Sequence, residues 1–324
     1  MNKLIATIAL AALAFTSCIK ENDTWKEMRP VQPGIIIYND VVSQNNIASL
    51  PAVTAMRMAM LLAESDIQGK DDFLEVTYEK TSLKNRLFGT SPKIEKLDGG
   101  DYLFTYTDGM QSPDGYIYSG KLLIQTHGKS RLAETDYSTP WSIQLSDFKV
   151  TIGNDDRQTS ILFNSGLIYL YGSSGYYTIR LENIDANLEG RSLHSNWNGS
   201  FNICPEDISL AYSLCSGKDF KIDGSANGSS FLGIDDDTSA DFKYEISDGI
   251  FRNFGIIRSG TEDCTLVNYY ETNFLDGDVK VEWTLSEDGS KQYQTIHYNG
   301  YVWSSNCLLY TSDAADDSLR VDLG

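Results

Sequence analysis

Histidine and cysteine are scarce in this chain. Three histidines, His127, His194 and His297, lie far apart in 324 residues, and no two of the five cysteines form a Cys-x-x-Cys pair. A zinc centre needs several such ligands at short, fixed spacing, so the sequence offers no metal site and no cofactor motif. It also lacks the Gly-x-Ser-x-Gly elbow of serine hydrolases and the His-Glu-x-x-His helix of metalloproteases. Its 26 basic residues are outnumbered by 45 acidic ones, for a net charge of −19. A surface of that sign repels phosphate backbones, which argues against a nucleic-acid partner.

Long apolar runs are missing too, apart from Leu4 to Phe15. That run is too short to span a bilayer, which takes ~20 apolar residues at ~1.5 Å each. Preceded by Lys3 and followed by Thr16-Ser17-Cys18, it has the anatomy of an export signal. Its end resembles the lipobox of bacterial lipoproteins, with Phe15 where leucine is usual. The resemblance implies cleavage before Cys18 and lipid attachment to that cysteine; an ordinary secretory signal is the alternative. Ile19-Lys20-Glu21-Asn22-Asp23 resembles the acidic tag that directs Bacteroidota-type lipoproteins to the outer face of the outer membrane. These resemblances imply residues 1–17 as signal peptide, 18–33 as tether, and a lipid-anchored, surface-exposed location.

At the other end, Cys307 to Asp317 resembles a translated sequencing adapter, which implies a non-native tail over 307–324. The charge stays strongly negative, at −17, once Lys3 of the leader and the four aspartates and one arginine of that tail are set aside. With Cys18 and Cys307 assigned elsewhere, Cys204, Cys215 and Cys264 remain. In an oxidising compartment Cys204 and Cys215 are spaced to close a small loop, with unpaired buried thiols as the alternative.

Tyr, Phe, Thr, Ser and Gly are abundant through the body, a balance that favours sheet. The sequence predicts a mainly β fold: two related antiparallel β-sandwich or meander-like units, with one N-terminal helix packed on them. Ile35 to Tyr38 reads as a short strand. Ser49 reads as an N-cap with Pro51 in the first turn, opening a helix over Ala52 to Glu64. That helix carries Met56, Met58 and Met60 at core spacing. Phe73 to Tyr78 reads as a strand inside a helix-containing segment, 34–97. Six strands are then expected at Tyr102–Thr107, Tyr116–Thr126, Trp141–Ile152, Gln158–Phe163, Leu167–Tyr171 and Tyr176–Ile184.

Asp108-Gly109, Gly115, Ile117 and Ser119-Gly120 recur as Asp248-Gly249, Gly255, Ile257 and Ser259-Gly260 at a constant offset. The pattern predicts a first β unit over 98–200 and a linker plus second unit, cut short, over 201–306, with each Asp-Gly as a turn. Ser195 to Ala240 is rich in Gly, Ser, Asn and Asp, as a connecting stretch would be. Asp235-Asp236-Asp237 within it suits a solvated turn better than a calcium loop.

Lipobox, tag, helix and tandem β units together resemble the surface lipoproteins of Bacteroidota. Three functions are in play. The first is a non-enzymatic binding or adhesion module, suited to glycans, with Trp197 and Tyr176 as stacking residues; Trp141 and Trp283 are better explained as core. A structural or assembly lipoprotein binding a partner protein through edge strands is the second. The third is a surface glycoside hydrolase using two carboxylates, for which no particular pair stands out.

Overall fold

A computed structural model describes residues 29–308 except 79, 91, 108–110, 114, 146–147, 153–158, 174–175, 190–193, 206–218, 231–239, 253–255, 268–276 and 288–290. Cys18, Cys215 and Asp235 to Asp237 therefore lie outside the described residues.

After a 3-10 turn at Arg29–Val31, a helix α1 runs from Gln32 to Gln68. The strand expected at Ile35–Tyr38 and the start expected at Ser49 are both corrected by it. Local β propensity in the isoleucine run is overridden because Ile37, Tyr38, Val41 and Ile47 all bury in the same core as Met56, Met58 and Met60. Pro51 sits inside the helix, where it cannot donate to the Ile47 carbonyl, and the helix continues through it. Ser49 does not cap; its hydroxyl donates back to the Asn45 carbonyl at 2.8 Å. Gly69, at φ 61° and ψ 38°, closes the helix in the left-handed conformation. The helix is long and apolar enough to cross a membrane by length and composition, but 61% of its most apolar window is buried inside the protein.

A two-stranded hairpin, β1 (Thr77–Tyr78) and β2 (Thr81–Ser82), and a short helix α2 (Leu83–Phe88) follow. Phe73–Glu75 forms a 3-10 turn, so only the last two residues of the expected Phe73–Tyr78 strand belong to a strand. Every later strand joins one antiparallel sheet: β3 (Lys93–Lys96), β4 (Tyr102–Tyr106), β5 (Ile117–Gln125), β6 (Trp141–Leu145), β7 (Phe148–Ile152), β8 (Thr159–Ser173) and β9 (Tyr176–Leu188). It continues through β10 (His194–Pro205), β11 (Asp219–Ser230), β12 (Ala240–Arg252), β13 (Ile256–Val267), β14 (Gly277–Leu285), β15 (Lys291–Tyr298) and β16 (Tyr301–Leu308). Apart from β6 and β7, which do not pair with each other, neighbours in sequence are neighbours in the sheet, which makes it a meander. The expected strand over Trp141–Ile152 is β6 and β7, both held between β5 and β8. The two expected over Gln158–Tyr171 fuse into β8.

The Gly- and Ser-rich stretch read as a connection contains β10 and β11, in the middle of the sheet. Trp197, Phe201 and Ile203 on β10 and Phe220 and Ala226 on β11 point inward, while the polar residues between them face out. Small residues let the two backbones close up: a Cβ on Gly228 would lie 1.8 Å from the Asn196 carbonyl oxygen. Asp248-Gly249, expected as a turn, is instead a bulge inside β12. The register shifts between Ser247 and Ile250, Asp248 takes φ 52°, and its N–H is held by Asp223 Oδ1 at 2.7 Å.

The helix crosses the strands. Gly34 lies on Tyr298 of β15, Tyr38 reaches β13 and β14, and Ile47 and Ala48 meet β8 to β10. Asp66 pairs with Arg131 just before β6 at 2.9 Å. Thirty-seven residues at ~1.5 Å give about 55 Å, and strands ~4.8 Å apart fill that length with about eleven. One helix therefore reaches across most of the strands on one sheet face, and the other face is left outward.

Candidate functional site: an outer tyrosine face

Alternation along β8 and β9 sorts most of their side chains into inward and outward sets. Ile168 and Leu170 bury, which turns Tyr169 and Tyr171 outward; Ile179 and Leu181 bury, which turns Tyr176, Arg180 and Glu182 outward, while Thr178 on the same side is covered and only 5% exposed. The register sets Tyr169 opposite Arg180, Tyr171 opposite Thr178 and Ser173 opposite Tyr176. Tyr176 is therefore diagonal to Tyr171, within reach of an aromatic ring.

A fourth tyrosine arrives from the loop before β6. Asp136 builds a four-residue turn by accepting at Oδ1 from the Ser138 N–H (2.8 Å), the Ser138 hydroxyl (2.6 Å), the Thr139 N–H (2.8 Å) and the Thr139 hydroxyl (3.1 Å). These donors hold its carboxyl down to a pKa of about 2. Tyr137 occupies the next position in the turn and is 68% exposed. Its hydroxyl accepts from Arg180 Nη1 at 3.0 Å, and its ring meets Tyr171 edge-on at 5.8 Å. Arg180 lies 5.7 Å from the ring centroid and pairs with Glu182 at 2.5 Å.

The loop itself is pinned to β8. The Thr135 hydroxyl donates to the Leu132 carbonyl at 2.6 Å and accepts from the Gly172 N–H at 2.9 Å. A Cβ at Gly172 would sit 3.0 Å from the Leu132 carbonyl oxygen, a tight contact that glycine avoids. Trp141, fully buried at the loop's other end, donates its indole N–H to the Lys129 carbonyl at 3.0 Å. An exposed aromatic ring is thus held at both its hydroxyl and its edge.

Of the two residues expected to stack on a ligand, only one belongs to this face. Tyr176 is 36% exposed at the start of β9. Trp197 is 2% exposed and packs on Phe242 at 4.1 Å between ring centroids, so it is core and its faces are not available at the surface. Cys204 is a half-buried free thiol on β10. Tyr137, Tyr169, Tyr171 and Arg180 went unnoticed in the sequence, although the Asp-Tyr-Ser-Thr run at 136–139 carries a readable turn signal.

A second constellation is buried. Glu262 on β13, 2% exposed, accepts from the Tyr38 hydroxyl at Oε2, from the Tyr244 hydroxyl at Oε1 (2.7 Å) and from the Trp283 indole N–H at Oε2 (2.9 Å). Burial raises its pKa despite those donors, and burial first, then the Glu262 charge, pushes both tyrosines well above their ordinary value. Glu262 is the one charged residue below a tenth exposed among the described residues. Sealed between helix and sheet, it cannot meet a substrate. Among the described residues no group of three His, Cys, Asp or Glu side chains is arranged to hold a metal ion.

No family model, curated protein or solved structure matches the chain.

Proposed function

We propose that the protein is a lipid-anchored, surface-exposed lipoprotein of the outer membrane that acts as a non-enzymatic binding module for glycans. The observation that carries the binding reading is Tyr137, an exposed ring fixed in orientation by Arg180 and Tyr171 and flanked on the same face by Tyr169 and Tyr176. Flat faces held in advance stack on sugar rings without the entropic cost of ordering them first. Asn202 and Glu182 beside them offer polar groups for hydroxyls. The anchoring reading rests on Leu4 to Cys18 and the acidic stretch after it.

A glycan array probed with the soluble body tests the first reading: hits that weaken in Tyr137→Ala support it, and an array without hits sinks it. Cys18→Ser tests the second, since loss of acylation should move the protein from the detergent phase to the aqueous one.

An assembly role is the alternative. Tyr301 and Val302, 56% and 60% exposed, lie on β16, an outer strand of the described sheet, where a partner strand could add. Co-purification of a partner that is lost on substituting Val302, with Tyr137→Ala silent, would favour it.

A further inference from the structure

The charges beside the tyrosines point to the class of sugar. Arg180 is the cation that touches Tyr137, and both of its terminal nitrogens are engaged: Nη1 donates to the Tyr137 hydroxyl at 3.0 Å and Nη2 lies 2.5 Å from Glu182 Oε1. Glu182 follows Arg180 by two residues on β9 and so projects from the same face. Uronate and sulfate groups are held best by a guanidinium whose fork of N–H donors is free to bind two oxygens at once. Glu182 already holds one of those donors, Nη2, with a carboxylate of the protein's own. Around it the chain carries 45 acidic against 26 basic residues, a field that lowers the local concentration of anionic polymers.

We propose that this face takes neutral sugar chains, and that Glu182 is the residue that disfavours acidic ones by holding its own carboxylate against Nη2 of Arg180. The proposal rests on the glycan-binding reading above. Its logic is that of a site made selective by an added repulsion as well as by attraction: the tyrosine rings stack on any pyranose, while Glu182 refuses the charged ones. Arg180 keeps its second task, fixing the hydroxyl of Tyr137, so each of its two terminal nitrogens already serves a group of the protein's own.

The experiment is affinity electrophoresis of the soluble body in gels containing a mannan, a β-glucan or a xylan, set against polygalacturonate or alginate, with the wild type, Tyr137→Ala and Glu182→Gln compared. Intrinsic tryptophan emission confirms that each variant is folded. Wild type should be retarded by one or more of the neutral polymers and pass the acidic ones freely. Tyr137→Ala should weaken the neutral interaction by roughly tenfold, about the loss of one good contact. Glu182→Gln should bind the acidic polymers at least about fivefold better than wild type, with the gain fading as salt is added. Retardation of the wild type by acidic polymers as strong as by neutral ones would overturn the proposal and leave glycan binding standing. So would a Glu182→Gln variant that gains nothing. Absence of retardation in every gel would overturn glycan binding itself.

Discussion

The Tyr38 hydroxyl on α1 donates to the Glu262 carboxyl on β13 across 224 residues of sequence, and the Trp283 indole N–H on β14 closes the triangle, 2.9 Å from Glu262 and 3.3 Å from the Tyr38 oxygen. With Tyr244 of β12 at 2.7 Å, one carboxyl ties the helix to three consecutive strands. Its burial raises the pKa above the ordinary 4.5. The folded protein therefore holds the proton more tightly than the unfolded chain does, so this group contributes most below about pH 4.5 and loses that contribution as pH climbs through its raised value. Chemical denaturation at steps from pH 4.5 to 8 should show wild-type stability falling, in part through general repulsion in an acidic protein. Glu262→Gln should fall less steeply over the same range. Identical slopes would mean that Glu262 is not the titrating group.

Removing the donors one at a time separates pinning from titration. Tyr38→Phe leaves the carboxyl with two donors and keeps the ring in place; it should cost about 1–3 kcal/mol, the range for a buried group losing a partner. Tyr244→Phe should cost a similar amount. Because both hydroxyls serve one carboxyl, the double variant should depart from additivity by more than about 0.5 kcal/mol in urea unfolding. Simple addition would show that the two bonds act independently.

These four residues could not be found in the sequence, because nothing in it brings positions 38, 244, 262 and 283 together before the meander is drawn. Position 38 was hidden further by its neighbours: three isoleucines before a tyrosine read as a strand until a whole sheet is available to bury them on a helix. Short-range signals fared better. Met56, Met58 and Met60 at helical spacing are at most 1% exposed, Trp141 is fully buried, and β4, β5 and β9 fall where alternation put them. Composition misled at β10 and β11, where Gly, Ser and Asn read as connection. There Gly199, Gly224 and Gly228 make room for the neighbouring strand, and the inward Trp197, Phe201 and Phe220 supply the burial.

The first turn of α1 has its own test. A Cβ on Gly34 would lie 2.7–2.9 Å from three atoms of Tyr298, closer than packed carbon atoms tolerate. Gly34→Ala should therefore lift the helix from β15 or turn the Tyr298 ring, at about 1–3 kcal/mol by the usual cost of overpacking. Gly128→Ala is the comparison. Its glycine takes φ +77° in a turn with nothing within 4 Å of the added carbon, so only the backbone penalty of about 1–2 kcal/mol applies. Amide exchange in α1 should quicken in the Gly34 variant and stay unchanged in the other.

Presentation of Tyr137 depends on the ionised carboxylate of Asp136. The side-chain and backbone donors of Ser138 and Thr139 favour the charged form and hold its pKa at about 2 against an ordinary 3.8. A carboxyl depressed in the folded state contributes above its unfolded pKa and stops contributing as pH falls through its folded one. The turn should thus be intact at pH 5, weaken below about pH 4 and be released near pH 2. Exchange of the Ser138 and Thr139 amides, both donors to Asp136 at 2.8 Å, reads this directly once the intrinsic pH dependence of exchange is subtracted. Asp136→Ala should expose the same amides at neutral pH. It should also weaken glycan binding by a factor close to that of Tyr137→Ala, because a ring on a loosened turn pays an ordering cost before it can stack. Full binding in Asp136→Ala together with unprotected amides would show that Arg180 and Tyr171 alone suffice to aim the ring.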